Sequence, residues 1–246
     1  MTDDSGRRVA TAAGAMLIAP QNIGEFEIAG MAPFRPDYWR IKGTVTPASR
    51  GRGSAWFIAA GSADWTLRHY RRGGRLAAYG SLDLYLWTAE SRVRSFVEWR
   101  LLAALSALGL PVPEPVGAYY ERGPLTYRCD LITRRIVGAS PLSDLLAADR
   151  LAPALWRSLG ATIARFHKAG VDHADLNAHN ILVTSANSCS IIDFDRGRLR
   201  TPGPWREGNL HRLESSLRKV SASLPPGRFV SSDWDELLGA YAAGKG

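Results

Sequence analysis

Leu155, Leu159, Ile163 and Phe166 recur at i, i+4, i+8 and i+11, and Gly170 closes the repeat. This spacing predicts an amphipathic helix over 151–169 with a glycine stop. The next stretch, VDHADLNAHNILV (Val171 to Val183), crowds His173, Asp175, Asn177, His179 and Asn180 together before returning to Ile181, Leu182 and Val183. Polar side chains are costly to bury without partners, so the stretch predicts a catalytic loop or a metal site rather than a core strand. ILVT (181–184), a Ser/Asn turn and SIIDFD (190–195) then read as two short strands of a hairpin. A lone His-x-Asp is also compatible with a capped helix end followed by two Asx-turns.

The first half of the chain reads differently. EFEIAG (25–30), YWRIKG (38–43), SAWFIAA (54–60) and DWTLRHY (64–70) are short apolar or alternating runs bounded by Gly, Pro, Ser or Asp, and they predict strands. A helix is expected over 91–108 from Val97, Leu101, Leu105 and Leu108, with Gly109 and Pro111 as its stop. PVPEPVGAYY (111–120) leads into another strand, LTYRCDLIT (125–133) is a further one, and Ser140 is the expected N-cap of a helix beginning in PLSDLLAADRL (141–151). From Trp205 to Tyr241 the chain reads as helix broken at Pro225 and Pro226, and Trp56, Trp65, Trp87, Trp99 and Trp156 are read as packing residues. The first 20 residues combine two arginines with an alanine-rich run; preceded by Asp3 and Asp4, they read as a flexible lead-in and not as a secretory signal.

Composition narrows the partners. Of the 246 residues 46% are hydrophobic, enough for a packed core, and the formal net charge of +8 favours a phosphate-bearing ligand or an anionic membrane surface. Cys129 and Cys189 have no CxxC or Cys/His spacing, which argues against a disulfide framework or a zinc site. No run reaches the roughly 18 apolar residues of a spanning helix. No nucleic-acid module is present, and the basic run RHYRRGGR (68–75) reads as a turn or as a surface for an anionic acceptor or membrane.

The order of elements, with His173-Ala174-Asp175, four residues, Asn180 and then Asp193-Phe194-Asp195, resembles the protein-kinase-like fold. Within it, RGRGSAWF (50–57), LRHYRRGG (67–74), GVDHADLNAHNIL (170–182) and IIDFDRGR (191–198) are similar to the lipopolysaccharide core kinases, in particular those acting on 3-deoxy-D-manno-octulosonic acid (Kdo). The resemblance implies an α+β chain, two-lobed, with a β-rich N-terminal lobe over 1–133 that includes helix 91–108 and a mainly helical C-terminal lobe over 134–246. It implies ATP and Mg2+ as cofactors and the 4-hydroxyl of Kdo on a lipid A precursor as acceptor. It further implies a peripheral enzyme at the cytoplasmic face of the bacterial inner membrane.

Carried over residue by residue, the resemblance makes Asp175 the base that takes the proton of the attacking hydroxyl, and makes Asn180 and Asp193 the metal ligands. A neutral amide oxygen binds a hard cation without adding negative charge beside a triphosphate. Gly51 and Gly53 would let backbone amides approach the nucleotide, although the pair reads equally well as a plain turn. No lysine lies between Lys42 and Lys168, so Arg68 takes the place of the phosphate-binding lysine, with Glu98 as its ion-pair partner. Asp195 stands where protein kinases have glycine, and the short remainder contains no Ala-Pro-Glu segment, which argues against a protein acceptor. Open alternatives are another sugar or small-alcohol phosphotransferase of the same fold and a nucleotide-binding pseudokinase.

Overall fold

The structure, a computed structural model, describes residues 6–48, 55–61, 63–71, 83–149, 151 and 153–244, leaving aside the side chains of 60, 63 and 153. Its contacts divide the chain into two compact units. One comprises Met1–Ala104 with Glu114–Arg135, the other Leu105–Pro113 with Ile136–Gly246.

The first unit is built on an antiparallel sheet. Its strands are β1 (Arg7–Thr11), β2 (Gly14–Ile18), β3 (Thr44–Pro47), β4 (Ala55–Ala60), β5 (Ala63–His69), the short β6 (Tyr85–Leu86), β7 (Pro115–Arg122) and β8 (Thr126–Arg134). The order is β1-β2-β7-β8-β5-β4-β3, with β6 also pairing with β8. The segment expected to be a flexible lead-in is therefore the β1–β2 hairpin. Ala15 to Ile18 are buried: β2 is an interior strand between β1 and β7, and Met16 and Ile18 pack in the core cluster with Phe26, Phe34 and Trp39.

Two expected strands are helices. EFEIAG falls in α1 (Ile23–Ala29) and YWRIKG in α2 (Pro36–Lys42). Each has an acidic residue in its first turn, Glu25 and Asp37, which suits the helix dipole, and α2 has proline at its first position. Their Phe-x-Ile and Trp-x-Ile spacings imitate strand alternation, yet one aromatic side chain anchors each helix while the isoleucine points outward. Phe26, Phe34 and Trp39 pack on Met16, Ile58, Trp65, Tyr119 and Ile132 of the sheet. Trp39 meets Trp65 edge-on at 5.2 Å.

The helix expected over 91–108 is α3 (Arg94–Ala107), preceded by a 3-10 turn. Its buried stripe differs from the expected one. Leu101 and Leu105 are buried as expected, but Val97 and Leu108 are exposed, and Val93, Phe96, Trp99 and Leu102 are buried as well. The large area of Phe96 and Trp99 extends the buried face beyond the leucine stripe. The Ser95 hydroxyl donates to the Tyr119 carbonyl at 3.0 Å, and Phe96 meets Tyr120 edge-on.

The second unit contains β9 (Ala139–Pro141), α4 (Leu142–Ala147), α5 (Pro153–Lys168), β10 (Val171–Asp172), β11 (Ile181–Thr184), β12 (Cys189–Ile191), β13 (Arg198–Leu199), α6 (Trp205–Ser221) and α7 (Ser231–Ala243). Pro141, not Ser140, occupies the N-cap of α4, because Ser140 pairs with Val183 in the ladder that extends the β11–β12 hairpin. The hairpin itself follows the sequence, with Ile181 opposite Ile191 and Val183 opposite Cys189. Leu155, Leu159, Ile163 and Phe166 are all buried, and Gly170 takes a φ of +77° where α5 stops.

Helix α5 lies along α7, and Gly160 makes the approach close enough that a Cβ there would strike the Leu237 carbonyl. Gly160→Val should destabilise this packing by about 1–3 kcal/mol despite removing a helix-weakening glycine. Denaturant unfolding followed by helical circular dichroism measures it; an unchanged midpoint would show that the helices can separate at no cost.

Candidate active site

The polar loop is held open by its own hydrogen bonds. His173 is 3% exposed: the Asp175 N–H donates to its Nδ1 at 3.3 Å, so its Nε2–H donates to the Ile192 carbonyl at 3.0 Å. The ring also meets Phe194 edge-on at 4.6 Å. One buried imidazole thus ties the segment carrying Asp175 to the segment carrying Asp193.

Asn177 and Asn180 complete the turn. Their side-chain amides donate to the Asp175 carbonyl at 2.9 and 3.0 Å, and Asn177 Oδ1 accepts from the His179 and Asn180 N–H groups. Those last bonds are an Asx-turn, so the structural reading of these residues and a functional one coexist. The Ile192 N–H donates to the Asn180 carbonyl at 3.0 Å, which brings Asn180 beside Ile192-Asp193. Both Asp175 and Asp193 lie near enough to His173 to act on its charge. The Asp175 side chain is exposed, while those of Asn180 and Asp193 are half-buried. Asp193 has a φ of +65°, the left-handed region that non-glycine residues occupy at a cost of about 1–3 kcal/mol and which clusters at functional sites.

Helix α6 braces the loop with three side chains that sequence reasoning did not single out. Asn209 Oδ1 accepts from the His173 N–H at 3.0 Å, and its Nδ2 donates to Asp172 at 3.0 Å. Arg212 Nη1 donates to the Ala174 carbonyl at 2.9 Å, and Ser216 Oγ accepts from the Ala178 N–H at 3.1 Å. Positions 209, 212 and 216 share one helix face. The available signal was a polar residue beside the buried Leu213 and Leu217, which does not distinguish a loop brace from a solvated flank.

Buried Asp172 also accepts from Arg198 and Arg200 at 3.3 and 3.0 Å. Burial pushes its carboxyl up, but the bonds from Asn209, Arg200 and Arg198 outweigh that and hold it below the ordinary carboxylate range. Burial drives the His173 imidazole below its ordinary value. Both shifts have the same sign in stability. A folded value below the unfolded one means the unfolded chain binds protons first as pH falls. Stability should drop as pH falls below about 6.5 through His173, and again below about 4 through Asp172. His69, raised by its bond to Asp130, acts in the opposite sense. The difference in unfolding midpoint between wild type and His173→Gln isolates the upper step; a difference independent of pH between 7 and 5 would contradict it.

Arg68 and Glu98 lie in the other unit and form an ion pair, with Glu98 2% exposed. Arg68 Nη2 also donates to the Tyr70 hydroxyl at 2.8 Å, and that hydroxyl donates to Glu98. Alternation along β5 turns Trp65 and Leu67 to the face covered by α1 and α2, which leaves Arg68 on the opposite face. Gly51, Gly53 and positions 72–75 of the basic run lie outside the described residues. Among the described residues no three His, Cys, Asp or Glu side chains form a ready metal cage. Asn180 and one carboxylate suit instead a hard cation that draws its other ligands from phosphate and water. With its Nδ2 committed to the Asp175 carbonyl, Asn180 has its Oδ1 as the atom to offer.

The chain is 48% identical over 230 residues to the 3-deoxy-D-manno-octulosonic acid kinase of Stenotrophomonas maltophilia strain K279a, covering 93% of this chain and 89% of that protein. The protein of the same name from strain R551-3 is 51% identical over 210 residues, 85% and 82% of the two chains. That from Xanthomonas campestris pv. campestris strain B100 is 44% identical over 230 residues, 93% and 89%. Residues 36–241 match the description "Lipopolysaccharide kinase (Kdo/WaaP) family". With that match spanning most of its length, the chain belongs to the lipopolysaccharide kinase (Kdo/WaaP) family.

Proposed function

We propose that this chain transfers the γ-phosphoryl group of ATP to the 4-hydroxyl of a Kdo residue on a lipid A precursor. The observation that carries the reading is the hydrogen-bond closure of one loop. The Asp175 carbonyl accepts from Asn180, and Asn180 in turn accepts from the Ile192 N–H, next to Asp193. Phosphoryl transfer asks a protein mainly for position and charge compensation, and a closure that holds the backbone of Asp175 and Asn180 to the segment carrying Asp193 supports that reading.

In this mechanism Asp175 accepts the proton of the acceptor hydroxyl as its oxygen bonds to the γ-phosphorus and the bond to the β-phosphate oxygen breaks. Asn180 and Asp193 would hold Mg2+, which when bound offsets phosphate charge. Arg68, steadied by Glu98 and Tyr70, would ligate nucleotide phosphate in place of lysine. Gly51 and Gly53 would cover it. The same reading makes the chain a two-lobed kinase-like domain, β-rich over 1–133 and mainly helical over 134–246.

We place the enzyme peripherally, on the cytoplasmic face of the inner membrane. Among the described residues no helix is long and apolar enough to cross a membrane. Ile28 and Ile41 are 92% and 90% exposed. Each lies about 200° around its helix from the buried Phe26 or Trp39, so both project outward from the same layer. Together with the net charge of +8 this favours an anionic lipid surface. Ile28→Ser/Ile41→Ser should weaken binding to anionic vesicles by about 10-fold, from the apolar area the two side chains would bury. Vesicle co-sedimentation measures it, and unchanged binding would remove this face from the account.

The acceptor is tested by incubating the protein with ATP, Mg2+ and the Kdo-bearing lipid A precursor. Mass spectrometry should find one added phosphate, and NMR should place it on the 4-hydroxyl. An unmodified precursor, or phosphate on the lipid A sugars, would overturn the assignment.

A further inference from the structure

Arg212 is the arginine of its unit that bonds the backbone immediately before Asp175. Arg198 and Arg200 are committed to Asp172, Arg157 to Glu236, Arg218 to Glu214 and Arg228 to Asp149, while Arg165 and Arg206 donate to the carbonyls of Gly109 and His167. Arg212 has no carboxylate partner among the described residues. Its Nη1 donates to the carbonyl of Ala174, the residue immediately before Asp175, and the side chain is exposed. A guanidinium has five N–H donors in a planar fork, so one bond to a carbonyl anchors the group and leaves the fork to bind something else.

We infer that Arg212 is a specificity residue that pairs with the carboxylate of the acceptor sugar. The inference rests on the phosphoryl-transfer reading above and extends it to the acceptor. A base must be anionic to take a proton, and an anionic acceptor brought to Asp175 meets like-charge repulsion. A cation tied to the backbone one residue away offsets that repulsion where it arises. Its planar fork matches a carboxylate in a bidentate pair, a geometry that lysine cannot reproduce. Kdo carries its carboxylate on C2, two carbons from the 4-hydroxyl, so a sugar whose hydroxyl meets Asp175 presents its acid group within the same few ångströms. The +8 charge of the whole chain could attract such an acceptor from any direction; Arg212 orients it.

The test compares the Kdo-bearing lipid A precursor with its Kdo methyl ester and with a precursor lacking the lipid A phosphates. Wild type, Arg212→Lys and Arg212→Met are assayed on each. Arg212→Met should raise the KM for the acid about 10- to 100-fold, the range of a lost charge-assisted hydrogen bond, and the KM for the ester by less than about 3-fold. Arg212→Lys should fall between, and the KM for ATP should not change. Equal losses on acid and ester would overturn the inference and leave Arg212 with its bond to Ala174 as its whole role. A penalty that disappears with the lipid phosphates rather than with the carboxylate would overturn it in favour of phosphate recognition. If wild type phosphorylates none of the three, the acceptor assignment itself falls and takes this inference with it.

Discussion

Asp175→Ala should lower turnover about 10²- to 10⁴-fold, the usual contribution of a general base, while ATP affinity stays within about 3-fold of wild type. The split follows from the local bonds. Asp175 contributes its backbone N–H to His173 and its carbonyl to Asn177 and Asn180, and none of these bonds involves its side chain. Truncation therefore removes the carboxylate and leaves the loop in place. Isothermal titration with a non-hydrolysable ATP analogue, alongside steady-state turnover, separates the two quantities. Parallel losses in both would mean that the carboxylate holds the loop or the nucleotide instead of moving a proton.

The second large effect is at Arg68. Arg68→Ala leaves the carboxylate of Glu98, 2% exposed, without its guanidinium partner. Removing one partner of a buried ion pair costs about 3–5 kcal/mol, because the remaining charge has lost both water and counter-ion. The Tyr70 hydroxyl still donates to Glu98, which places the expected loss toward the lower end. On activity the proposed phosphate contact predicts a fall in kcat/KM for ATP of about 10²-fold. Arg68→Lys keeps the charge but loses the fork that serves Glu98 and Tyr70 together, so it should recover only part of each loss. Glu98→Gln discriminates the two roles. It removes the ion pair and retains Arg68, so it should cost stability while sparing much of the ATP dependence. If Arg68→Ala and Glu98→Gln lowered kcat/KM equally, Arg68 would be structural.

What could be read from the sequence, and what could not, divides along physical lines. Helix 151–169 was legible because a long 3.6-residue repeat with a glycine stop admits few alternatives, and α5 covers Pro153–Lys168. The hairpin behind the polar loop was legible for the same reason at period two. The segments misread as strands, α1 and α2, are each seven residues long, so one aromatic anchor decides their placement and no repeat can accumulate. The β1–β2 hairpin was missed because its sequence, RRVATAAGAMLI, lacks polar alternation, and Met16 and Ile18 are buried by tertiary packing with Phe26, Phe34 and Trp39. At the site, the spacing of Asp175, Asn180 and Asp193 alone points to a loop. Asn209, Arg212 and Ser216 stayed hidden because they reach the loop from a helix some 30 to 40 residues downstream, a contact that tertiary packing alone creates.

In the proposed reaction one site serves both tasks, with Asp175 moving a proton and Asn180 with Asp193 supporting the phosphates. Single-turnover transfer from ATP to the Kdo-bearing lipid A precursor, chemically quenched over a range of Mg2+ concentrations, tests it most directly. Wild type should transfer the phosphate. Asp175→Ala should lose transfer with an unchanged Mg2+ requirement, whereas Asn180→Ala and Asp193→Ala should shift that requirement to higher concentration as well as slow the reaction. Wild-type transfer by Asp175→Ala, or an Mg2+ dependence indifferent to Asn180 and Asp193, would contradict it.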